Sequence, residues 1–170
     1  MTKLIGKMTS LADVSPAKWF LLASSSGKHL CVRARPRPGV GTGDTLGYVE
    51  LARLSPSKGL DPTLRVVARG EQLFVFEISD VRISVPVDLT AIYPDLSREE
   101  ARVRCKPGAL IITNDEYRML VANEDQHLTI SLSDGSLHHG GNDKQLALVS
   151  RWRLLYANGD QTRELYSVYI

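Results

Sequence analysis

Cysteine is nearly absent. The 170 residues hold only Cys31 and Cys105, far apart in the chain. Two thiols cannot staple a disulfide-dense scaffold or build a four-thiolate zinc site. Both are expected to be reduced core residues. Long apolar runs are missing too. The longest stretch near the N-terminus, Trp19 to Ala23, is five residues, with Asp13 and Lys18 before it. That is too short for a secretory signal and far below the ~18 residues of a membrane span. The chain is therefore expected to be soluble and intracellular, in the cytoplasm or built into a particle, with no transmembrane segment. Aromatic residues make up 6% of the chain, and the net charge is only +2. Neither value implies a polyanion partner. The charge is unevenly spread, however. Residues 1–85 carry 12 Lys and Arg against 7 Asp and Glu, and residues 86–170 carry 9 against 12. Such asymmetry can steer a partner or a second copy of the chain.

Signatures of chemistry are also scarce. There is no Cys-x-x-Cys, His-x-His, His-Glu-x-x-His or Gly-x-Ser-x-Gly motif. His138 and His139 lie near Asp134 and Asp143, but adjacent residues on a strand face opposite ways, so a polar hairpin tip is the better reading than a metal site. Glu99-Glu100 and Asp115-Glu116 read as solvated turn carboxylates. No cofactor is expected. A Ser-His-acid triad is a spatial arrangement that sequence cannot display.

What is plentiful is alternation of period two. Val81, Ile83, Val85 and Val87 face one way. So do Phe74, Phe76 and Ile78, and so do Leu128, Ile130 and Leu132. Turn residues recur between these runs. Asn158-Gly159 predicts a type I′ hairpin joining 146–157 to 163–170. Asp134-Gly135 predicts a second hairpin, with Thr113-Asn114-Asp115 and Arg69-Gly70-Glu71 as weaker turn signals. Ser15, Pro16 and Gly27 fit the cap, first turn and stop of a short helix over 16–24; a strand through Trp19, Leu21 and Ala23 is the alternative. Ser97 and Glu100 form a capping-box pattern for a turn or two of helix. These signals together predict one all-β domain over residues 1–170, a mostly antiparallel β-sandwich or barrel with a short N-terminal helix.

Two stretches are candidates for binding. In "VRARPRPGVGTG", Arg33, Arg35 and Arg37 would share one face of an extended strand, with Lys28 upstream. Guanidiniums spaced this way can meet successive phosphates of a nucleic acid or other polyanion. The glycines that follow match neither a P-loop nor a dinucleotide fingerprint. At the chain end, Trp152, Tyr156, Tyr166 and Tyr169 are aromatics of the kind enriched at interfaces. No charge follows Glu164, so the last strand could template a second chain. The leading expectation is a non-enzymatic structural or interaction protein that self-associates or docks in a larger assembly of virion, tail or scaffold type. Its partner would be itself or another assembly protein. A nucleic-acid or polyanion binder is the alternative, and an unrecognised enzyme or small-ligand barrel the third reading.

Overall fold

A computed structural model describes residues 4, 6–35, 45–54, 57–85, 92–93, 106–113, 116–122, 128–139, 147–149 and 151–169. The strands are β1 (Gly6–Ser10), β2 (Trp19–Ser24), β3 (Gly27–Ala34), β4 (Thr45–Leu54) and β5 (Ser57–Ala68). They continue with β6 (Phe74–Ile78), β7 (Val81–Ser84), β8 (Ile92–Tyr93), β9 (Leu110–Thr113) and β10 (Glu116–Val121). The last five are β11 (Leu128–Ser131), β12 (Leu137–His139), β13 (Ala147–Val149), β14 (Arg151–Asn158) and β15 (Gln161–Tyr169). They form three sheets, ordered β1-β6-β2-β3-β4-β5, β12-β11-β10-β9-β13-β8 and β15-β14-β7. Every paired strand is antiparallel to its neighbour. None of the sheets closes into a barrel among the described residues.

The predicted helix at 16–24 is a correction. Residues 19–24 are β2, and the helical content described is one 3₁₀ turn at Leu11–Asp13. The physical reason is burial on both sides. Trp19 and Leu21 point into the main core, while Phe20 points into a second cluster on the opposite face. A strand covered on both faces loses its polar alternation and then reads like a helix. Gly27, expected as a helix stop, instead opens β3 with φ 127. The capping-box segment lies outside the described residues.

The main core joins all three sheets. It includes Leu30 and Val49 from the first, Met119 and Ile130 from the second, and Trp152, Leu154 and Tyr156 from the third. Fully burying each such apolar side chain stabilises the fold by about 1.5–3 kcal/mol. The alternations in 81–85 and 128–132 point into this core, as their spacing predicts. Ile78 is buried and Phe76 partly so, but Phe74, at the strand's start, is 61% exposed.

The first sheet is curled. β5 and β6 sit four strand spacings apart in its order, which is about 19 Å if flat. The connection from Ala68 to Phe74 could span that only if fully extended, at ~3.3–3.6 Å per residue. Instead it holds two turn hydrogen bonds, Glu71 N to Ala68 O and Leu73 N to Glu71 O. The sheet must bend to bring these strands together. Its concave face is lined by Phe20, Cys31, Leu46, Tyr48 and Val75, and plugged by Leu11 and Val14 from the β1–β2 connection. Arg69-Gly70-Glu71 thus makes a turn but no hairpin, because β6 inserts between β1 and β2.

The terminal hairpin forms, with two differences. The predicted strand over 146–157 is split, so that β13 pairs in the second sheet and β14 in the third. Asn158 pairs with Gln161, which leaves Gly159 and Asp160 as the central residues. Gly159 alone has positive φ, at 58. That is the φ pattern of a II′ turn, with glycine first, rather than I′. Asp134-Gly135 lies between β11 and β12 as predicted, with Gly135 at φ 75.

Candidate functional site

Arg33 and Arg35 of the arginine-rich stretch do not form one open row. Arg33 is only 4% exposed. Its Nη1 donates to the carbonyls of Ala34, at 2.5 Å, and of Gly47, and its Nε is buried without a partner. Burial, followed by the nearby Arg69 charge, lowers its pKa. Arg35 is exposed, 3.9 Å from Asp134. Arg37 lies outside the described residues. Lys28 is five residues before Arg33, an odd offset that puts it on the opposite face of the strand. It lies on the main-core side of β3, where it lines a cavity of about 450 Å³ with Met8, Leu21, Phe74, Phe76 and Arg163.

Three of the four terminal aromatics are buried as well. Trp152, Tyr156 and Tyr166 are 1%, 1% and 7% exposed, so their rings belong to the core of the single chain. The Trp152 indole N–H donates to Gly108 O at 2.8 Å, and its ring meets Tyr166 edge-on. Burial pushes the Tyr166 hydroxyl well above the ordinary tyrosine range. The Tyr169 side chain lies outside what the structure describes.

The histidine-rich tip is a hydrogen-bonded turn. Asp134 accepts from the backbone N–H and hydroxyl of Ser136, and Ser136 Oγ lies 2.8 Å from His138 Nε2. Glu116 is no solvated turn carboxylate. It accepts from Ser131, from Ser133 at 3.1 Å and from Arg118 Nε at 3.1 Å. Burial alone would raise its pKa, but these hydrogen bonds outweigh it and hold the carboxyl below its ordinary value. Among the described residues, no three His, Cys, Asp or Glu side chains converge to hold a metal.

One cluster was invisible in the sequence. It lies on the concave side of the first sheet, at the end of the β2–β3 hairpin. His29 Nδ1 is 2.6 Å from Glu50 Oε1. His29 Nε2 is 2.9 Å from Ser24 Oγ and 2.8 Å from Ser26 Oγ. The Ser26 N–H donates to Ser24 Oγ at 3.1 Å, tightening the turn. Arg65 Nε reaches Glu50 Oε2 at 3.4 Å. A bulge builds this arrangement. Cys31 pairs with Glu50 and Leu30 with Ala52, so Leu51 is the extra residue. Glu50 and Arg53, three residues apart, would otherwise face opposite ways; the bulge puts both on the face of His29. Arg53 is the direct cross-strand partner of His29, and its Nε is buried without a hydrogen bond. The helix expected over 16–24 concealed all of this. Read as a hairpin, "ASSSGKH" places the serines and His29 beside one turn; Glu50 needs the sheet.

The serines are exposed, whereas the His29 and Glu50 side chains are 9% and 14% exposed. An oriented imidazole between a carboxylate and a solvent-facing hydroxyl is an arrangement that can move a proton. No protein family, curated protein or solved structure matches the chain.

Proposed function

We propose that the protein is an interaction module that associates with copies of itself, or docks in a larger assembly, through an open strand edge. The three layers around one core are, on this reading, a β-sandwich. The observation that carries the proposal is the position of β15. This nine-residue strand ends its sheet, and among the described residues it is paired only to β14. Along the far side of an edge strand, backbone donors and acceptors are available to another chain. β15 contains no proline, and within the strand no charged residue comes after Glu164. A second β15, or a strand of another assembly protein, could extend the sheet by backbone pairing. The buried Trp152, Tyr156 and Tyr166 then support the strand from behind, and contact falls to its backbone.

Light scattering over a wide range of concentration tests this. The mass should rise above the 18.8 kDa of one chain, and Tyr169→Lys should lower it while the circular dichroism stays unchanged. A monomer at every concentration refutes the reading.

Polyanion contact through Arg33, Arg35 and Arg37 keeps one supporting observation. A guanidinium as buried as Arg33, with no carboxylate against it among the described residues, has charge left for an anion to neutralise. Binding of this kind would weaken steeply with salt. Converting all three arginines to alanine should flatten that dependence.

A further inference from the structure

We propose that Ser26, His29 and Glu50 form an acyl-transfer centre acting on small esters, with Ser26 Oγ as the nucleophile. The three groups stand in the order such chemistry requires, each within hydrogen-bond distance of the next. The Glu50 carboxylate accepts from His29 Nδ1, so the proton sits there and Nε2 is left as an acceptor. Two hydroxyls approach Nε2. Ser24 Oγ already accepts the Ser26 N–H and donates to Gly27 O at 3.3 Å. The two hydroxyls are themselves 2.8 Å apart, and Ser26, at 2.8 Å from Nε2 against 2.9 Å for Ser24, is the one assigned as nucleophile. Its exposure lets a substrate reach it.

The reaction balances without a further reagent. Ser26 Oγ bonds to the ester carbonyl carbon as its proton passes to His29 Nε2. The carbonyl π pair moves onto oxygen. When the C=O re-forms, the C–OR bond breaks, and His29 protonates the departing alkoxide to the alcohol. Water then attacks the acyl-serine, giving its proton to Nε2, and the Oγ–C bond breaks as Oγ takes that proton back. The products are a carboxylic acid and an alcohol. Glu50 touches no reacting atom. It is a positioning residue, held in turn by Arg65 through its second oxygen. Arg53, across the strand from His29 and lacking a hydrogen-bond partner at Nε, supplies the nearby positive charge for the oxyanion. This centre uses the β2–β3 end of the first sheet, not the β15 edge, so it stands independently of assembly.

The experiment treats the full chain with an ethyl fluorophosphonate. Oγ–P forms, P–F breaks, fluoride leaves, and His29 takes the proton. Trypsin then releases Trp19–Lys28, whose only hydroxyls are Ser24, Ser25 and Ser26. The expected result is an adduct on Ser26 that is lost in Ser26→Ala and kept in Ser25→Ala. Labelling should fall roughly 10²–10⁴-fold in His29→Gln, the range for loss of a positioned base. Glu50→Gln offers an NH₂ to Nδ1 and holds the proton on Nε2, so it should label as slowly as His29→Gln, while Glu50→Asp recovers part of the rate. The wild-type protein should also hydrolyse p-nitrophenyl acetate with a burst. An unlabelled peptide, or labelling unchanged by Ser26→Ala, overturns the proposal. Both serine variants change exposed side chains, so the test holds even if His29→Gln unfolds.

Discussion

Three glycines give a graded test of how closely the second sheet is docked on the first. The turn after β11 carries Gly135, whose carbonyl accepts from Arg35 N at 2.7 Å. A Cβ on Gly135 would sit 2.7 Å from Ala17 N, 2.8 Å from Arg33 O and 3.0 Å from Pro16 Cβ. Two of these neighbours are backbone atoms, themselves joined by the Ala17 N to Arg33 O hydrogen bond of 2.8 Å, so they cannot swing away. Gly135 also has φ +75. For an alanine, that backbone region costs about 1–2 kcal/mol. The forced displacement adds roughly 1–3 kcal/mol, as for an overpacked core. Gly135→Ala should therefore cost about 3 kcal/mol, which lowers Tm by roughly 6–12 °C for a chain of this size. Gly159 has φ +58 but nothing within 4 Å of the added atom. Gly159→Ala should cost the backbone share alone, about 1 kcal/mol. Gly70 has neither feature, so Gly70→Ala should fall within about 0.5 kcal/mol of wild type. Urea unfolding midpoints at constant m-value give all three. Should Gly135→Ala prove no worse than Gly159→Ala, the close approach of this turn to Ala17 and Arg33 is wrong.

Two further outcomes follow from titratable groups. Hydrogen bonds from the Ser136 hydroxyl and N–H hold the Asp134 carboxyl down, from its usual 3.8 to about 2. A depressed folded-state value stabilises above the unfolded pKa and is lost as pH falls, here between about 4 and 2. Urea midpoints measured across that window should slope less for Asp134→Asn than for wild type; parallel curves would contradict the assignment. Burial pushes the Cys31 thiol well above its ordinary range, with Glu50 adding to the effect. Peptide mapping after a thiol reagent should find Cys31 unlabelled in native buffer and labelled in urea, and prompt native labelling would refute its burial.

The short-range features of this protein were legible in its residues. Alternation in 74–78, 81–85 and 128–132 set the strands and their core faces, because a pleated strand repeats every two residues whatever it packs against. Gly135 and Gly159 marked two turns, since the backbone there needs positive φ. The same local reasoning failed where a segment's surroundings cover both of its faces. Trp19–Ser24 reads equally well as helix or strand until the 3₁₀ turn and the main core are known to lie on opposite sides of it. The burial of Arg33 within the arginine row was hidden for a related reason. Spacing places Arg33 and Arg35 on one face, but not the Ala34 and Gly47 carbonyls and the packed turns that bury Arg33. Likewise, aromatic content at 152–166 cannot distinguish an interface from a core. The serine–histidine–glutamate cluster depended on the fold most of all. His29 and Glu50 are far apart in sequence, and they meet because β3 and β4 pair antiparallel and one bulged residue, Leu51, turns Glu50 and Arg53 to the same side. Sequence determines local periodicity and turn chemistry, which are properties of neighbouring residues. Burial, register and the approach of distant side chains depend on which surfaces the whole chain brings together, and only the tertiary structure decides them.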